Sequence, residues 1–199
     1  MTVPLRDGSA VLIRPIEPSD ADLLRRGLER LGDESRYRRF LSPVSRLSES
    51  QLRYLTDVDH RDHEALIAIE PDSGEALAVA RYVRTDARTA EFAVTVVDDW
   101  QGRGLGTAVL ELLAGRAREE RITRFGALLL AGNDEMLELL RRLGPVRILS
   151  REQGTVAVDV ELPPGGVGER LRSLMRLVAT GRVQAARGRA VQPPASPHG

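Results

Sequence analysis

The amino-acid sequence predicts an α/β fold with a mixed, mostly antiparallel central sheet flanked by helices. Three strand-like runs follow one another in the middle of the chain, and a turn signal between the first two favours an antiparallel hairpin. Helical and strand-like segments alternate after the third run, which adds helices on the faces of the sheet. A length of 199 residues suits one such domain with a tail.

The first part of the chain predicts a strand and three helices. Residues 10–14 (AVLIR) form a β-branched run, and residues 18–20 (PSD) resemble a helix start. Residues 33–40 predict an arginine-rich helix that Pro43 ends, and residues 48–50 (SES) begin another short helix. Apolar residues fall at helical spacing in the first and third of these helices: Leu23, Leu24, Leu28, Leu31, Leu52 and Leu55.

The middle of the chain predicts the centre of the sheet. Residues 65–69, 76–83 and 90–97 are the three strand-like runs, and residues 71–74 (PDSG) are the turn between the first two. A helix is predicted from Leu105 to about Glu120.

The last part of the predicted domain completes the sheet. Residues 125–131 predict a buried strand, and a helix from about Asp134 to Leu143 ends at Gly144-Pro145. Residues 146–149 and 155–161 then predict a closing hairpin.

A composition change predicts a boundary after residue 162. Residues 163–166 are PPGG, and the tail of residues 163–199 holds six arginines and one acid, a net +5. The tail predicts a short amphipathic helix with a basic face and a disordered end from Gly188 onward. Its apolar residues at helical spacing are Leu171, Leu174, Met175 and Val178.

The composition excludes several kinds of chemistry. The chain has no cysteine, which excludes disulfides and thiolate catalysis, and all 29 basic residues are arginine, which excludes a Walker or Schiff-base lysine. No apolar run approaches the ~18 residues of a membrane span, and the first 14 residues lack a signal-peptide core. We therefore expect a cytoplasmic protein with no membrane partner. A net charge of −5 before the tail and seven aromatic residues argue against nucleic acid as a partner.

One segment, residues 90–108 (AEFAVTVVDDWQGRGLGTA), contains a pattern that indicates a binding site. A strand leads into Gln101-Gly102-Arg103-Gly104-Leu105-Gly106, where the long helix begins. Glycines at such a turn let backbone N–H groups approach an anion, and the helix N-terminus adds partial positive charge, so a pyrophosphate is the natural ligand. The dinucleotide fingerprint would need glycine where Thr107 stands, and the nucleotide-triphosphatase loop needs a lysine.

The remaining pattern, Gln101 followed by Gly104 and Gly106, resembles the acetyl-coenzyme A motif of the GNAT superfamily of N-acetyltransferases. The resemblance extends over residues 7–162. The upstream stretches DGSAVLIRPIEPSDADLL and ESRYRRFLSP and the later stretch NDEMLELLRRLG are similar to the catalytic domain of bacterial protein-lysine acetyltransferases. The resemblance implies a GNAT-like fold in which the central strands splay apart around acetyl-CoA.

The resemblance also implies roles for individual residues. Val94, Thr95 and Val96 match the strand that pairs with the pantetheine arm of the cofactor. The pyrophosphate cradle is matched by Gln101 and by Gly102, Arg103, Gly104, Leu105, Gly106 and Thr107. Asn133 matches an asparagine that contacts the cofactor in relatives, and the same residue in this place is also a helix N-cap candidate.

Glu91 is the candidate catalytic base. An alkylammonium acceptor has a pKa of about 10.4 and must lose a proton before it attacks a thioester. A carboxylate in a partly dry cleft can accept that proton, directly or through water, and the resemblance implies a base at this strand position. The alternative for Glu91 is an exposed or salt-bridged strand residue.

Other residues have simpler interpretations. Many relatives carry a tyrosine acid where Leu140 stands here, so the departing thiolate (pKa about 8.5) would take its proton from water. His60 and His63 lack a third ligand for a metal, and Trp100 is expected to be a hydrophobic plug beside the turn. The arginines near residue 38 form a solvated helix face or border the acceptor cleft: Arg36, Arg38 and Arg39.

The sequence as a whole predicts acetyl transfer from acetyl-CoA to a primary amine, most simply a protein lysine, in a ternary complex. Backbone N–H groups near Val96 would polarise the thioester oxygen. Two alternatives remain open: a small-molecule amine acetyltransferase and a non-catalytic acyl-CoA-sensing module. No signal in the sequence specifies the acceptor, the acyl chain or the oligomeric state.

Overall fold

The computed structural model describes residues 1–41 and 45–164. These residues form one sheet of eight strands in the order β1-β2-β3-β4-β5-β6-β8-β7, and every neighbouring pair is antiparallel except β5–β6. The strands are β1 (Thr2–Pro4), β2 (Ala10–Pro15), β3 (His63–Ile69), β4 (Ala76–Arg84), β5 (Thr89–Val96), β6 (Arg124–Leu130), β7 (Val146–Glu152) and β8 (Thr155–Glu161). The helices are α1 (Ala21–Glu29), α2 (Asp33–Phe40), α3 (Glu49–Thr56), α4 (Leu105–Glu119) and α5 (Asp134–Leu143).

The two faces of the sheet are covered by different helices. Because side chains alternate along a strand, Ala80 and Tyr82 of β4 face α4, whereas Val79 and Arg81 face α1–α3. The α4 side holds the larger core, in which Val109 and Leu113 pack with Phe125. The α1–α3 side holds a smaller cluster around Ile16, Leu52 and Ile67.

The parallel pair β5–β6 opens like a V. Pairing runs only from Thr89–Arg124 to Glu91–Gly126, after which the two strands separate. Beyond that point β5 stays paired with β4 and β6 stays paired with β8. The edges that face each other across the opening therefore carry backbone N–H and C=O groups without sheet partners, and such groups need another partner when they are covered.

The structure confirms the predicted fold class. The bounds of α2, α5 and β8 agree with the sequence, and the predicted β5 ends one residue earlier, at Val96, because a 3₁₀ turn follows at Asp98–Trp100. Strand β7 runs to Glu152 rather than Leu149, since its hairpin turns at Gln153 and Gly154, both with positive φ. Strand β1 was missed because it has only three residues.

The predicted tail helix and disordered end lie outside the described residues. No helix in the described ranges is long and apolar enough to cross a bilayer.

Candidate functional site

A cleft of about 420 Å³ occupies the V between β5 and β6. Its walls come from the two strands, α5, α2 and the glycine-rich turn before α4. Nine of the residues that the sequence assigned to a cofactor line it: Val94, Thr95, Val96, Gln101, Gly102, Gly104, Gly106, Thr107 and Asn133.

The backbone of β5 presents free groups to this cleft. The N–H of Val97 donates to the carbonyl of Leu77 in β4, at 2.9 Å. Backbone groups point to alternate sides along an antiparallel strand, so those of Val94 and Val96 point away from β4 and into the V. An extended amide-containing chain could pair with them there as an added strand would.

The glycine-rich turn shapes the other end of the cleft. Gly102 and Gly104 have φ of +74° and +91°, a backbone conformation that residues other than glycine rarely adopt. Gly104 is the N-cap of α4, and the first turn of α4 contains no acidic residue. Its free N–H groups and the positive end of the helix dipole therefore face the cleft, as at other anion-binding helix starts. Arg6, which also lines the cleft, lies against Gly104.

Gln101 holds the turn in place. Its side-chain amide donates to the carbonyl of Val96 at 3.1 Å and to the hydroxyl of Ser35 at 3.2 Å. These bonds join the turn to β5 and to α2, so Gln101 acts on the shape of the cleft as well as lining it.

Asp98 and Asp99, which come directly before Gln101 and the glycines, tie the turn to another part of the domain. Asp98 accepts a hydrogen bond from the backbone N–H of Gly32 at 3.0 Å, and Asp99 pairs with Arg30 at 2.8 Å. Both contacts anchor the turn to the segment between α1 and α2.

Two predicted residues direct their side chains elsewhere. Leu105 is fully buried in the α4 core, and Arg103 stacks over the Trp100 ring at 4.7 Å while lying 3.5 Å from Asp7. Neither is among the residues that line the cleft, so only their backbone N–H groups could serve a ligand. Trp100 is 7% exposed, which fits the expected hydrophobic plug.

Asn133 lies at the cleft wall and caps α5. Its side-chain oxygen accepts a hydrogen bond from the N–H of Met136 at 3.2 Å. This confirms the N-cap interpretation, and the side-chain NH₂ of Asn133 can still donate to a ligand in the cleft that this residue lines.

Glu91 lies where the parallel pair ends, at the apex of the V. The expected place of Glu91 was a partly dry cleft, whereas its side chain is exposed and is not among the residues that line the cleft. Glu91 shares the α1–α3 face with Ala93 and Thr95 but lies at the apex of the V, where the described residues leave its side chain exposed.

Sequence reasoning missed the contributions of distant segments. Arg6 and Ser35 line the cleft together with residues of α5, and no role was predicted for either. Arg38, which was left between a solvated face and an acceptor-cleft border, also lines the cleft. Arg39 was left between a solvated face and an acceptor-cleft border, and it lines both the cleft and a second, apolar cavity on the α1–α3 face. Arg36 is neither, because its guanidinium donates to the carbonyls of Leu28 and Glu29.

His60, His63 and Leu140 have structural roles. His60 Nδ1 lies 2.7 Å from the buried carboxylate of Glu64, and the His63 ring packs against the Tyr54 ring in a tilted arrangement, with 5.0 Å between the ring centroids. Within the described ranges no three His, Asp or Glu side chains are grouped so that they could hold a metal. Leu140 is fully buried in the core and does not line the cleft.

Known proteins share this sequence and architecture. The profile of the family described as "Acetyltransferase (GNAT) family" matches residues 31–144. "Acetyltransferase Pat" of Mycolicibacterium smegmatis is 36% identical over 164 residues, which cover 81% of this chain and 49% of that protein. The chain thus spans about half the length of that relative.

Solved structures agree with the sequence comparisons. The GNAT domain of S. lividans PAT superposes with a TM-score of 0.75 at 37% identity, covering 81% of this chain and 96% of that chain. A more distant acetyltransferase, yncA from Salmonella typhimurium with its cofactor acetyl-CoA, has a TM-score of 0.59 at 16% identity and covers 77% of this chain and 95% of its own. This last likeness concerns the fold alone.

Proposed function

The chain belongs to the acetyltransferase (GNAT) family and is an N-acetyltransferase, and on this basis we propose that it moves the acetyl group of acetyl-CoA to a lysine side chain of another protein. The observation that carries this proposal is the V between β5 and β6, with a glycine-rich helix start at one end and Glu91 at its apex.

The cleft fits acetyl-CoA in its chemistry. The pyrophosphate would lie on the N–H groups at the start of α4, where the cations of Arg6 and Arg142 also line the wall. The pantetheine amides would pair with the backbone N–H and C=O of Val94, which point into the V. When bound, acetyl-CoA supplies an activated acyl thioester.

Glu91 is positioned to take a proton from the acceptor. A lysine ammonium with a pKa near 10.4 is almost fully charged at neutral pH and has no free electron pair. The exposed carboxylate of Glu91 can be reached from solvent by a protein substrate and can accept that proton directly or through water. The amine nitrogen then attacks the thioester carbon, while the N–H of Val96 can donate to the developing oxyanion.

The rest of the reaction needs no covalent enzyme intermediate. The chain has no cysteine, which favours direct transfer within a ternary complex. Leu140 is buried where a tyrosine would stand in many relatives, so the departing thiolate takes its proton from water.

The relatives favour a protein acceptor over a small amine. One relative is named Pat, and the GNAT domain that superposes with a TM-score of 0.75 is from a PAT protein. The exposure of Glu91 leaves room for a bulky substrate.

The test is an acceptor screen. Purified protein with acetyl-CoA is incubated with lysine peptides, with polyamines and with aminoglycosides, and acetylated products are detected by mass spectrometry. We expect lysine peptides to be modified. Modification of polyamines or aminoglycosides alone would establish a small-molecule enzyme, and coenzyme binding without transfer or hydrolysis would establish a sensing module.

A further inference from the structure

A second cavity, of about 80 Å³, lies on the α1–α3 face beside the cofactor cleft. It is bounded by α1, α2 and α3 on one side and by β4 and β5 on the other. Most of its wall is apolar: Leu24, Leu28, Leu31, Leu47, Leu55, Val79 and Val97. Two arginines, Arg39 and Arg81, are the only charged residues among its described lining.

Arg81 is a buried cation with unused hydrogen-bonding capacity. It lies in the middle of β4 with 6% of its surface exposed, and one terminal nitrogen donates to the carbonyl of Leu55. The other, Nη1, is buried and has no hydrogen-bond partner among the described residues. Burial, together with the neighbouring charge of Arg39, lowers the pKa of Arg81 to about 10. A buried donor left unpaired costs free energy, so a partner at Nη1 would stabilise the site.

Arg39 lies between this cavity and the cofactor cleft. Arg39, Ala93 and Thr95 line both spaces, so the two spaces are adjacent. Burial lowers the pKa of Arg39, and the negative charge of Glu91 opposes that change. Among the described residues no carboxylate lies within ion-pair distance of Arg39 or Arg81.

The guanidinium groups of Arg39 and Arg81 lie near Glu91, the proposed catalytic base. Glu91 pairs with Val83 across β4–β5, and Arg81 pairs with Ala93, so Arg81 and Glu91 are diagonal neighbours on the same face. Diagonal neighbours stand roughly 7–8 Å apart at their backbones. An acceptor amine beside Glu91 would therefore place the atoms next to it within reach of the two arginines.

Resting on the proposed function, we propose that Arg81 and Arg39 bind a carboxylate carried by the acceptor, so that the enzyme selects amines that stand close to an acidic group. Two like charges beside an apolar cavity repel an acceptor that brings only positive charge, whereas a carboxylate can accept from Nη1 of Arg81 and from Arg39 together. In a protein substrate this group is the side chain of an Asp or Glu near the lysine, and in a small substrate it would be the carboxylate of an amino acid.

The experiment compares matched peptides as substrates of the 199-residue chain. Two peptides carry one lysine each and differ only in a flanking Glu or Gln, and the flanking position is moved through both sides of the lysine. Transfer is measured as kcat/KM with saturating acetyl-CoA in the wild type, in Arg81→Gln and in Arg39→Gln. Arg53→Gln is the matched control, because Arg53 is an exposed arginine of α3 that lines neither cavity.

We expect the wild type and Arg53→Gln to prefer the Glu peptide by about tenfold at the best position, and either cavity variant to reduce that preference to about twofold or less. Coenzyme A affinity, measured by calorimetry, should stay the same in Arg81→Gln, which also shows that the variant is folded. Should Arg81→Gln fail to fold, Arg39→Gln at the edge of the cavity decides the question.

Binding separates this inference from the proposed function. The affinity of fluorescent Glu and Gln peptides is measured with saturating coenzyme A. Arginine-dependent preference for the Glu peptide without any transfer would uphold the carboxylate site and overturn the proposed function. Transfer with no preference, or with a preference that survives both substitutions, would overturn the carboxylate site alone. Arginine-dependent acetylation of free amino acids, but not of peptides, would uphold carboxylate recognition and assign it to a small acceptor.

Discussion

Gly104 is the residue whose conformation the proposed cofactor site requires most directly. Its φ of +91° places it in the left-handed region, and it begins α4. A β-carbon there would also meet the Arg6 side chain at 3.3 Å. A larger residue would both strain the turn and move Arg6, which lines the cleft.

We therefore expect Gly104→Val to weaken coenzyme A binding at least about tenfold, or about 1.4 kcal/mol. Gly74→Val is the matched control, because Gly74 has φ +71° and open space around it but lies in the β3–β4 hairpin, away from the cleft. Calorimetry on both variants makes the comparison. Equal affinity in the two would remove the turn from the cofactor site.

At the level of residues, the sequence could predict only part of the cleft. Gln101 and Gly104 belong to a local pattern at a strand-to-helix turn. The geometry of such a turn depends on neighbouring residues, so the pattern was enough to assign both residues to the cleft. Arg6, Ser35 and Arg39 reach the same region only because the fold brings the β1–β2 turn, α2 and β5 together. No spacing in the sequence encodes that meeting, and the exposure of Glu91 likewise depends on its place at the apex of the V.

At the level of elements, the segment between α1 and α2 and the glycine-rich turn act as one unit. Gly32 donates its backbone N–H to Asp98, and Ser35 in α2 accepts from Gln101. A change in the first element should therefore be transmitted to the second.

Two glycine-to-alanine substitutions test this coupling. A β-carbon at Gly32 would lie 2.6 Å from a carboxylate oxygen of Asp98, so Gly32→Ala should cost about 1–2 kcal/mol of stability and weaken coenzyme A binding. A β-carbon at Gly27 in α1 would meet Ala76 at an ordinary 3.7 Å, and Gly27→Ala should gain up to about 1 kcal/mol from helix propensity. Urea unfolding measures the stability of both variants, and calorimetry measures their affinity for coenzyme A. A Gly32→Ala variant with unchanged stability and unchanged affinity would disprove the coupling.

Elements with strong local signals were predictable, and the V was not. Helix α5 has Asn133 as its cap and Gly144-Pro145 at its end, so its bounds followed from local chemistry. The separation of β5 from β6 after Glu91 is a relation between strands, and strand patterns specify faces rather than neighbours. The resemblance to a known family implied the splay, which neither strand could indicate.

At the level of the whole molecule, the described contacts of the domain continue slightly past the predicted boundary. Leu162 is 3% exposed and its N–H donates to the carbonyl of Thr123, while Pro163 accepts from Arg118. A chain ending at Pro164 retains these contacts.

We expect that shortened chain to fold, to melt within about 3 °C of the full chain, and to bind coenzyme A with the same affinity. Thermal unfolding and calorimetry on the two chains provide the measurement. An unfolded or non-binding product would show that residues beyond 164 belong to the domain.

The central claim is that Glu91 is the base for acetyl transfer to an amine held at the apex of the V. Glu91→Gln keeps the size of the side chain and removes its proton-accepting capacity. The most direct measurement is kcat/KM for a lysine peptide between pH 6 and 9.5, in the wild type, in Glu91→Gln and in the exposed-strand control Glu152→Gln. We predict a loss of about a hundred- to ten-thousandfold in Glu91→Gln at neutral pH, a residual rate that rises with pH, unchanged coenzyme A affinity and a control equal to the wild type. A Glu91→Gln rate within about threefold of the wild type across that range would contradict the claim and assign the proton to another group or to water.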